Sequence, residues 1–514
     1  MLKRRIRSVL ILLAAALPVA AQTSNYDLPI REHVFDNGLR LLVLERPGDH
    51  RVACKIFTDF GAMVEKPGDL GSAHFIEHLM FKGTKTLGTI DWPAEKEIIA
   101  QIYDTEKALI NALNRARNAT RQRGVFHDYE HAVSTAEIDS LHLELARLDS
   151  TAAQYRKNGE MMTWYQGYGG THLSATTEQE YMKFDINLPA NRVALFLRVE
   201  ADRMRNSVFR EFDQERMILL EQRYGDLNRP TTPYHEAMNA LVQTVHPVYW
   251  PEGYLSDFSQ YTRHGTRDMY SNYFVPNNTS LIFVGGVTLE QMIPLVRSYF
   301  GWMQRAPEPE RVRAIEPVPQ AEKRMIYRSD DLRPRVELRF GMPGIGHPER
   351  PGFDVLGPVL DKSISDAMRA ARISGSANIN MRVVHTSRFG VPSSFNIEWV
   401  LENESDLALS EQILQDVIRH LKVELVSSDV LQTAKKKLRS EWYRTALSAD
   451  QLAFEIGHFQ VMDHWTTLKK HLDAREHTTA ADLRHIAQRY FVAQNLSVGI
   501  VKSPEDEDRK GGAE

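Results

Sequence analysis

Apolar residues beyond position 30 fall first into short runs separated by turn residues, then into long stripes of helical period. Val34-Phe35 and the run Leu39 to Leu44 flank Asp36-Asn37-Gly38. Asn-Gly between two apolar runs predicts a tight hairpin. A further strand is expected over Val52 to Phe60, punctuated by Gly61 and the Glu65-Lys66-Pro67-Gly68-Asp69 loop. Gly71 to Thr84 then carries apolar neighbours, no proline and a glycine stop at Gly83, which predicts a short amphipathic helix.

The stretch Asp91 to Glu160 changes character, being rich in Glu, Lys, Arg, Ala and Leu. Ile98, Ile102, Leu109 and Leu113 mark one stripe, and Ile138, Leu141, Leu145 and Leu148 a second. With the Gly124 region between them, they predict a protruding helical hairpin with no assigned chemistry. Gly169-Gly170 opens a strand-like segment through Leu188-Pro189. A helix carrying Val193, Leu195, Leu197, Val199 and Met204 follows, then another from about Arg210 to Tyr224. Helical segments continue to Tyr273, and Ser280 to Val287 reads as a strand.

Prolines 307, 309, 317 and 319 among charged residues make 301–322 an extended linker between two halves. The halves echo each other. Tyr273-Phe274-Val275-Pro276-Asn277-Asn278-Thr279-Ser280-Leu281-Ile282-Phe283-Val284 resembles Tyr490-Phe491-Val492-Ala493-Gln494-Asn495-Leu496-Ser497-Val498-Gly499-Ile500-Val501, and Ile56 to Gly61 is weakly echoed by Val336 to Gly341. The expected fold is therefore α+β, a duplicated unit. Its parts are a first half at 22–300 with a helical insertion at 91–160, a second half at 323–502, and a charged tail at 503–514.

Composition adds compartment. Lys3, Arg4, Arg5 and Arg7 precede an apolar run from Val9 to Val19, and Val19-Ala20-Ala21 supplies small residues for cleavage, so 1–21 reads as a secretory signal. No stable membrane insertion is expected once it is removed. The single cysteine, Cys54, has no intramolecular partner, so the core must hold the fold without disulfides. A net charge of −4 over 514 residues, with both signs interspersed, gives no basis for binding nucleic acid.

The candidate chemistry lies in the short helix. His74 and His78 stand four residues apart and share a face, a spacing that lets two imidazoles hold one metal ion. Glu77, on the same side, is placed to take a proton from a water at that metal. The second half has Asp361-Lys362-Ser363-Ile364-Ser365 in roughly the corresponding place, so the chemistry belongs to the first half.

Gly71-x-Ala73-His74-Phe75-x-Glu77-His78-x-x-Phe81-Lys82-Gly83-Thr84 resembles the signature of the inverzincin metallopeptidases, the family of pitrilysin, the insulin-degrading enzymes and the mitochondrial processing peptidases. The resemblance covers most of Val34 to Val501. It implies two homologous halves around a chamber for unfolded peptide, a zinc ion on His74 and His78, Glu77 as base, and a third ligand on a later helix. That helix resembles Arg210 to Arg223. Laid ungapped on Glu215-Arg216, the family's third ligand falls on Gln222, with Glu221 one place early. Glu221 is the favoured ligand because a carboxylate holds zinc better than an amide, and Gln222 is the alternative. Glu215 is a candidate for orienting a histidine from behind.

Two further positions depart from the family. Ser174 stands where an asparagine contacts substrate backbone, and Arg369 matches the arginine of an Arg-x6-Tyr pair whose tyrosine is replaced by Ser376. The reading is thus an exported zinc endopeptidase acting on peptides or unfolded polypeptide. Its alternative is an impaired relative serving as a peptide-binding or partner subunit, in a homo- or hetero-dimer with a family homologue.

Overall fold

A computed structural model describes Tyr26 and residues 28–122, 134–243, 253–310, 316–382 and 393–504. The expected signal segment 1–21, the Gly124 region, part of the linker and the tail from 505 lie outside the described residues.

In the first half, β1 (Ile30–Val34), β2 (Arg40–Glu45), β3 (Arg51–Thr58), β4 (Thr171–Thr177), β5 (Met182–Pro189) and β6 (Thr279–Gly285) form one sheet in the order β1-β2-β6-β3-β5-β4. The β2–β6 pair is parallel and the other pairs are antiparallel. The strand-like segment from Gly169 to Pro189 is in fact a hairpin, turning between Thr177 and Met182. The helices of this half are α1 (Ser72–Met80), α2 (Trp92–Gln122), α3 (Ala136–Ala153), α4 (Glu160–Gly167), α5 (Val193–Asn206), α6 (Phe212–Leu227), α7 (Thr231–Val242), α8 (Leu255–Phe258), α9 (Arg263–Tyr273) and α10 (Leu289–Phe300). The two stripes predicted for the insertion meet: Ile102 and Leu109 of α2 pack with Ile138, Leu145 and Leu148 of α3 in a small core of their own.

The second half repeats the plan. β7 (Lys323–Arg328), β8 (Arg335–Met342), β9 (Gly375–Arg382), β10 (Ser393–Leu401) and β11 (Leu496–Lys502) form a sheet in the order β7-β11-β8-β10-β9. It carries α11 (Arg350–Ala370), α12 (Leu407–Val423), α13 (Ser428–Leu447), α14 (Ala449–Met462), α15 (Thr466–His477) and α16 (Ala480–Tyr490). The repeated Tyr-Phe-Val segments close α9 before β6 and α16 before β11, and the second echo pairs β3 with β8. This is an α+β fold of two like halves.

The halves exchange a helix. α14 of the second half packs across β3 and β6, where Leu452, Ala453 and Ile456 meet Leu42, Ala53, Phe57, Ile282 and Val284. Within this apolar contact lies the buried cation Lys55. Its ammonium sits 3.1 Å from Asp185 and 2.9 Å from Asp450 of α14, so the charge is paired across the two halves. Reciprocally, α7 of the first half packs against β7 and β11. Tyr234 and Met238 are buried there with Leu332 and Val501, and the Tyr234 hydroxyl donates to Glu337 at 2.7 Å. A helix of each half thus packs on the sheet of the other.

One device bears directly on α1. The N-cap position is Gly71, in the left-handed region at φ 90°, which has no side chain to cap the helix. Its first amides are met instead by Glu65, whose carboxylate accepts from Gly71 N at 2.8 Å and Ala73 N at 2.7 Å. Burial pushes this carboxyl up to about 8, while the two N–H bonds pull it down. Behind α1, Phe75, Ile76, Leu79 and Met80 enter the main core of the first half.

Two outcomes follow from these contacts. A Cβ added at Gly457 of α14 would lie 2.1 Å from the Phe57 ring, so Gly457→Val should lower stability by about 1–3 kcal/mol in thermal unfolding. An unchanged Tm would show that this contact does not bind the halves. A Glu65 pKa of about 8 folded, against roughly 4.3 unfolded, means the folded state holds the extra proton. Its contribution is complete at acid pH and is lost as pH rises through about 8. Glu65→Gln should therefore flatten the fall in stability of metal-free protein over that window; an unaltered slope would contradict the assignment.

Candidate active site

Helix α1 sends its apolar side into the core and leaves His74 and His78 half-buried on the other. Their rings stand 4.8 Å apart at 89°. His78 Nδ1 lies 3.0 Å from Glu215 Oε2 on α6, which leaves Nε2 facing outward. The other oxygen of Glu215 takes the Lys82 ammonium at 2.6 Å, and Lys82 also reaches Glu211 at 2.9 Å. Burial alone would raise the Glu215 carboxyl, but the bonds from His78 and Lys82 outweigh it and hold the group below its ordinary value. Glu215 therefore stays an anion behind His78.

His74 Nδ1 is buried without a hydrogen-bond partner. Burial, with His78 beside it, pushes this imidazole down to about 4, so the ring is neutral at neutral pH and one nitrogen offers a lone pair. Glu77 faces the same region and is buried, and the Thr177 hydroxyl donates to its Oε2 at 2.6 Å. Burial raises its carboxyl above the ordinary range, the Thr177 bond and nearby His78 and Lys183 opposing. A carboxylate of raised proton affinity beside two imidazoles is a donor set suited to a divalent metal and a base.

The third expected donor is not brought in. Glu221 and Gln222 are both exposed on α6. At 3.6 residues per turn, Gln222 lies about 20° around the helix from Glu215 and Glu221 about 120°. The face that Glu221 shares with Gln214, Met217 and Ile218 is turned to solvent. Among the described residues, no three His, Cys, Asp or Glu side chains gather to hold a metal. The structure thus unites His74, Glu77 and His78 with Glu215, and leaves Glu221 apart because of its helical phase.

The other sequence candidates are scattered. Ser174 is exposed on the edge strand β4, its hydroxyl directed to Ala175 O at 3.4 Å. Arg369 is exposed near the end of α11, paired with Asp366 at 3.0 Å, and Ser376 is exposed on β9. Sequence reasoning missed Thr177 and Lys82. Lys82 left a signal, a cation four residues after His78; Thr177 left none, since its contact spans 100 residues of chain.

The comparisons with known proteins bear on family and fold. Residues 40–100 match the family model described as Insulinase (Peptidase family M16), and residues 262–438 that of the Peptidase M16 inactive domain. The zinc protease PqqE of Helicobacter pylori (strain ATCC 700392 / 26695) is 20% identical over 359 residues, 68% of this chain and 80% of that protein. Among solved structures, a protease from Helicobacter pylori superposes with a TM-score of 0.73 at 17% identity, over 93% of this chain and 100% of that one. The periplasmic protease PqqL from Escherichia coli gives 0.68 at 13% identity, and this chain, covered over 94%, spans only 48% of it. The structural likenesses establish the fold, and the two family models carry the kinship. The chain belongs to the pitrilysin-type M16 family of peptidases.

Proposed function

We propose that the protein is an exported zinc-dependent endopeptidase that hydrolyses peptides or unfolded polypeptide. The observation that carries this is the meeting of His74, His78 and Glu77 on one side of α1, with Glu215 fixed behind His78. His74 and His78 would hold the ion, with a third donor from the Glu221–Gln222 step of α6. Zinc, when bound, supplies Lewis acidity toward a water and the scissile carbonyl. Glu77 takes the proton of the attacking water on Oε1, since Oε2 is occupied by Thr177, and later passes it to the leaving amine. Glu215 holds the Nδ1 side of His78 and keeps the imidazole oriented. Export rests on the signal-like segment 1–21 and on the likeness to a protein named as periplasmic. No helix among the described residues is long and apolar enough to cross a membrane.

The second reading, a partner or peptide-binding subunit, draws on the missing third carboxylate and on the exposed positions of Arg369 and Ser376. In that case a homologous chain would complete the substrate grip.

Purified mature protein should carry about one zinc per chain, and Glu77→Gln should keep the metal while lowering cleavage of a quenched peptide library by at least about 10²-fold. Wild-type protein that cleaves nothing, with or without bound zinc, selects the second reading. Because Gln222 shares the bearing of Glu215, Gln222→Ala should weaken zinc retention more than Glu221→Ala. Loss confined to Glu221→Ala would mean that α6 rotates to bring the carboxylate in.

A further inference from the structure

Lys82 has no assigned role, yet it stands where the loop leaving α1 meets the first turn of α6. Its ammonium is shared between Glu215 at 2.6 Å and Glu211 at 2.9 Å. Its main chain is held separately. Arg210 Nη1 donates to Lys82 O and Leu87 O, each at 3.2 Å, and Nη2 to Thr84 O at 2.9 Å. The same guanidinium is anchored by buried Glu95 at 2.6 and 2.8 Å. Gly83, at φ 93°, leaves the room that Arg210 fills: a Cβ there would lie 2.8 Å from Nη1. Phe209 and Glu211, both at positive φ, turn the chain so that Arg210 points inward and Glu211 returns to Lys82.

With one end of Lys82 fixed by Arg210 and the other by two carboxylates, Glu215 cannot swing. Its Oε1 is occupied, so Oε2 is the oxygen presented to His78 Nδ1. We propose that Lys82 is a positioning residue for metal binding: it holds the Glu215 carboxylate in the rotamer that receives His78 Nδ1–H and so turns His78 Nε2 toward the ion. This rests on the zinc reading above. A partly exposed ion pair adds little to global stability, so the effect should appear in metal affinity and not in folding.

The test is zinc affinity, measured on the full mature chain by competition with a chromophoric chelator, alongside the Tm of the metal-free protein. Lys82→Met should raise the zinc Kd by about 10–100-fold, with the metal-free Tm unchanged to within about 2 °C. Lys82→Arg, which keeps the cation, should recover most of the affinity. In a Glu215→Gln background the Lys82→Met change should add less than about twofold, because its target is gone. Should Lys82→Met fail to fold, Glu211→Gln, which frees the outer anchor, should still weaken zinc several-fold. Wild-type affinity in Lys82→Met or in Glu211→Gln, or an undiminished Lys82→Met effect in the Glu215→Gln background, would overturn the assignment while leaving the peptidase reading intact. Wild-type protein that takes up no zinc would remove that reading and this one together.

Discussion

The carboxylate of Glu215 is drawn from two sides, by an imidazole and by an ammonium, and the candidate site depends on that balance. A buried carboxylate with no partner would take up a proton, and His78 would then be free to turn. With Lys82 on one oxygen and His78 on the other, the charge stays and the ring is fixed. The remaining parts of the site are arranged around this fixed ring. His74 lies one helical turn away with a bare Nδ1, and Glu77 is raised in proton affinity by burial yet kept in place by Thr177. Burial thus shifts the proton affinities of two residues on one helix in opposite directions, down for His74 and up for Glu77.

The exchange of α7 and α14 gives this site a rigid frame. β3, which leads toward α1, and β6 beside it are backed on one face by a helix from the opposite half. The sheet that leads into the candidate site thus packs against the second half, although that half carries no metal motif. A duplicated unit whose copies seal each other retains both copies for packing reasons, even where chemistry resides in one.

Much of this was legible in the chain. The Asn37-Gly38 turn, the two stripes of the insertion and the doubled Tyr-Phe-Val segments are local patterns, and local patterns survive reading in one dimension. His74, Glu77 and His78 were legible for the same reason, since one helical turn joins them. The third donor was not, because its identity turns on helical phase: one residue of offset rotates a side chain by about 100°, and Glu221 is carried to the solvent side. The cap on α1 was hidden as well. Glu65 sits six residues before Gly71, outside any capping spacing, and reaches back only because the loop folds under the helix. Lys55 was invisible as a paired charge, since Asp450 is supplied from the far half. In each case the partner lies far along the chain or depends on a loop path.

The most direct measurement is X-ray absorption at the zinc edge of the purified mature protein. The account predicts the scattering of two imidazole rings at about 2.0–2.1 Å, with oxygen neighbours completing four-coordination. A spectrum with one imidazole or none, or protein that yields no bound zinc to measure, would contradict it.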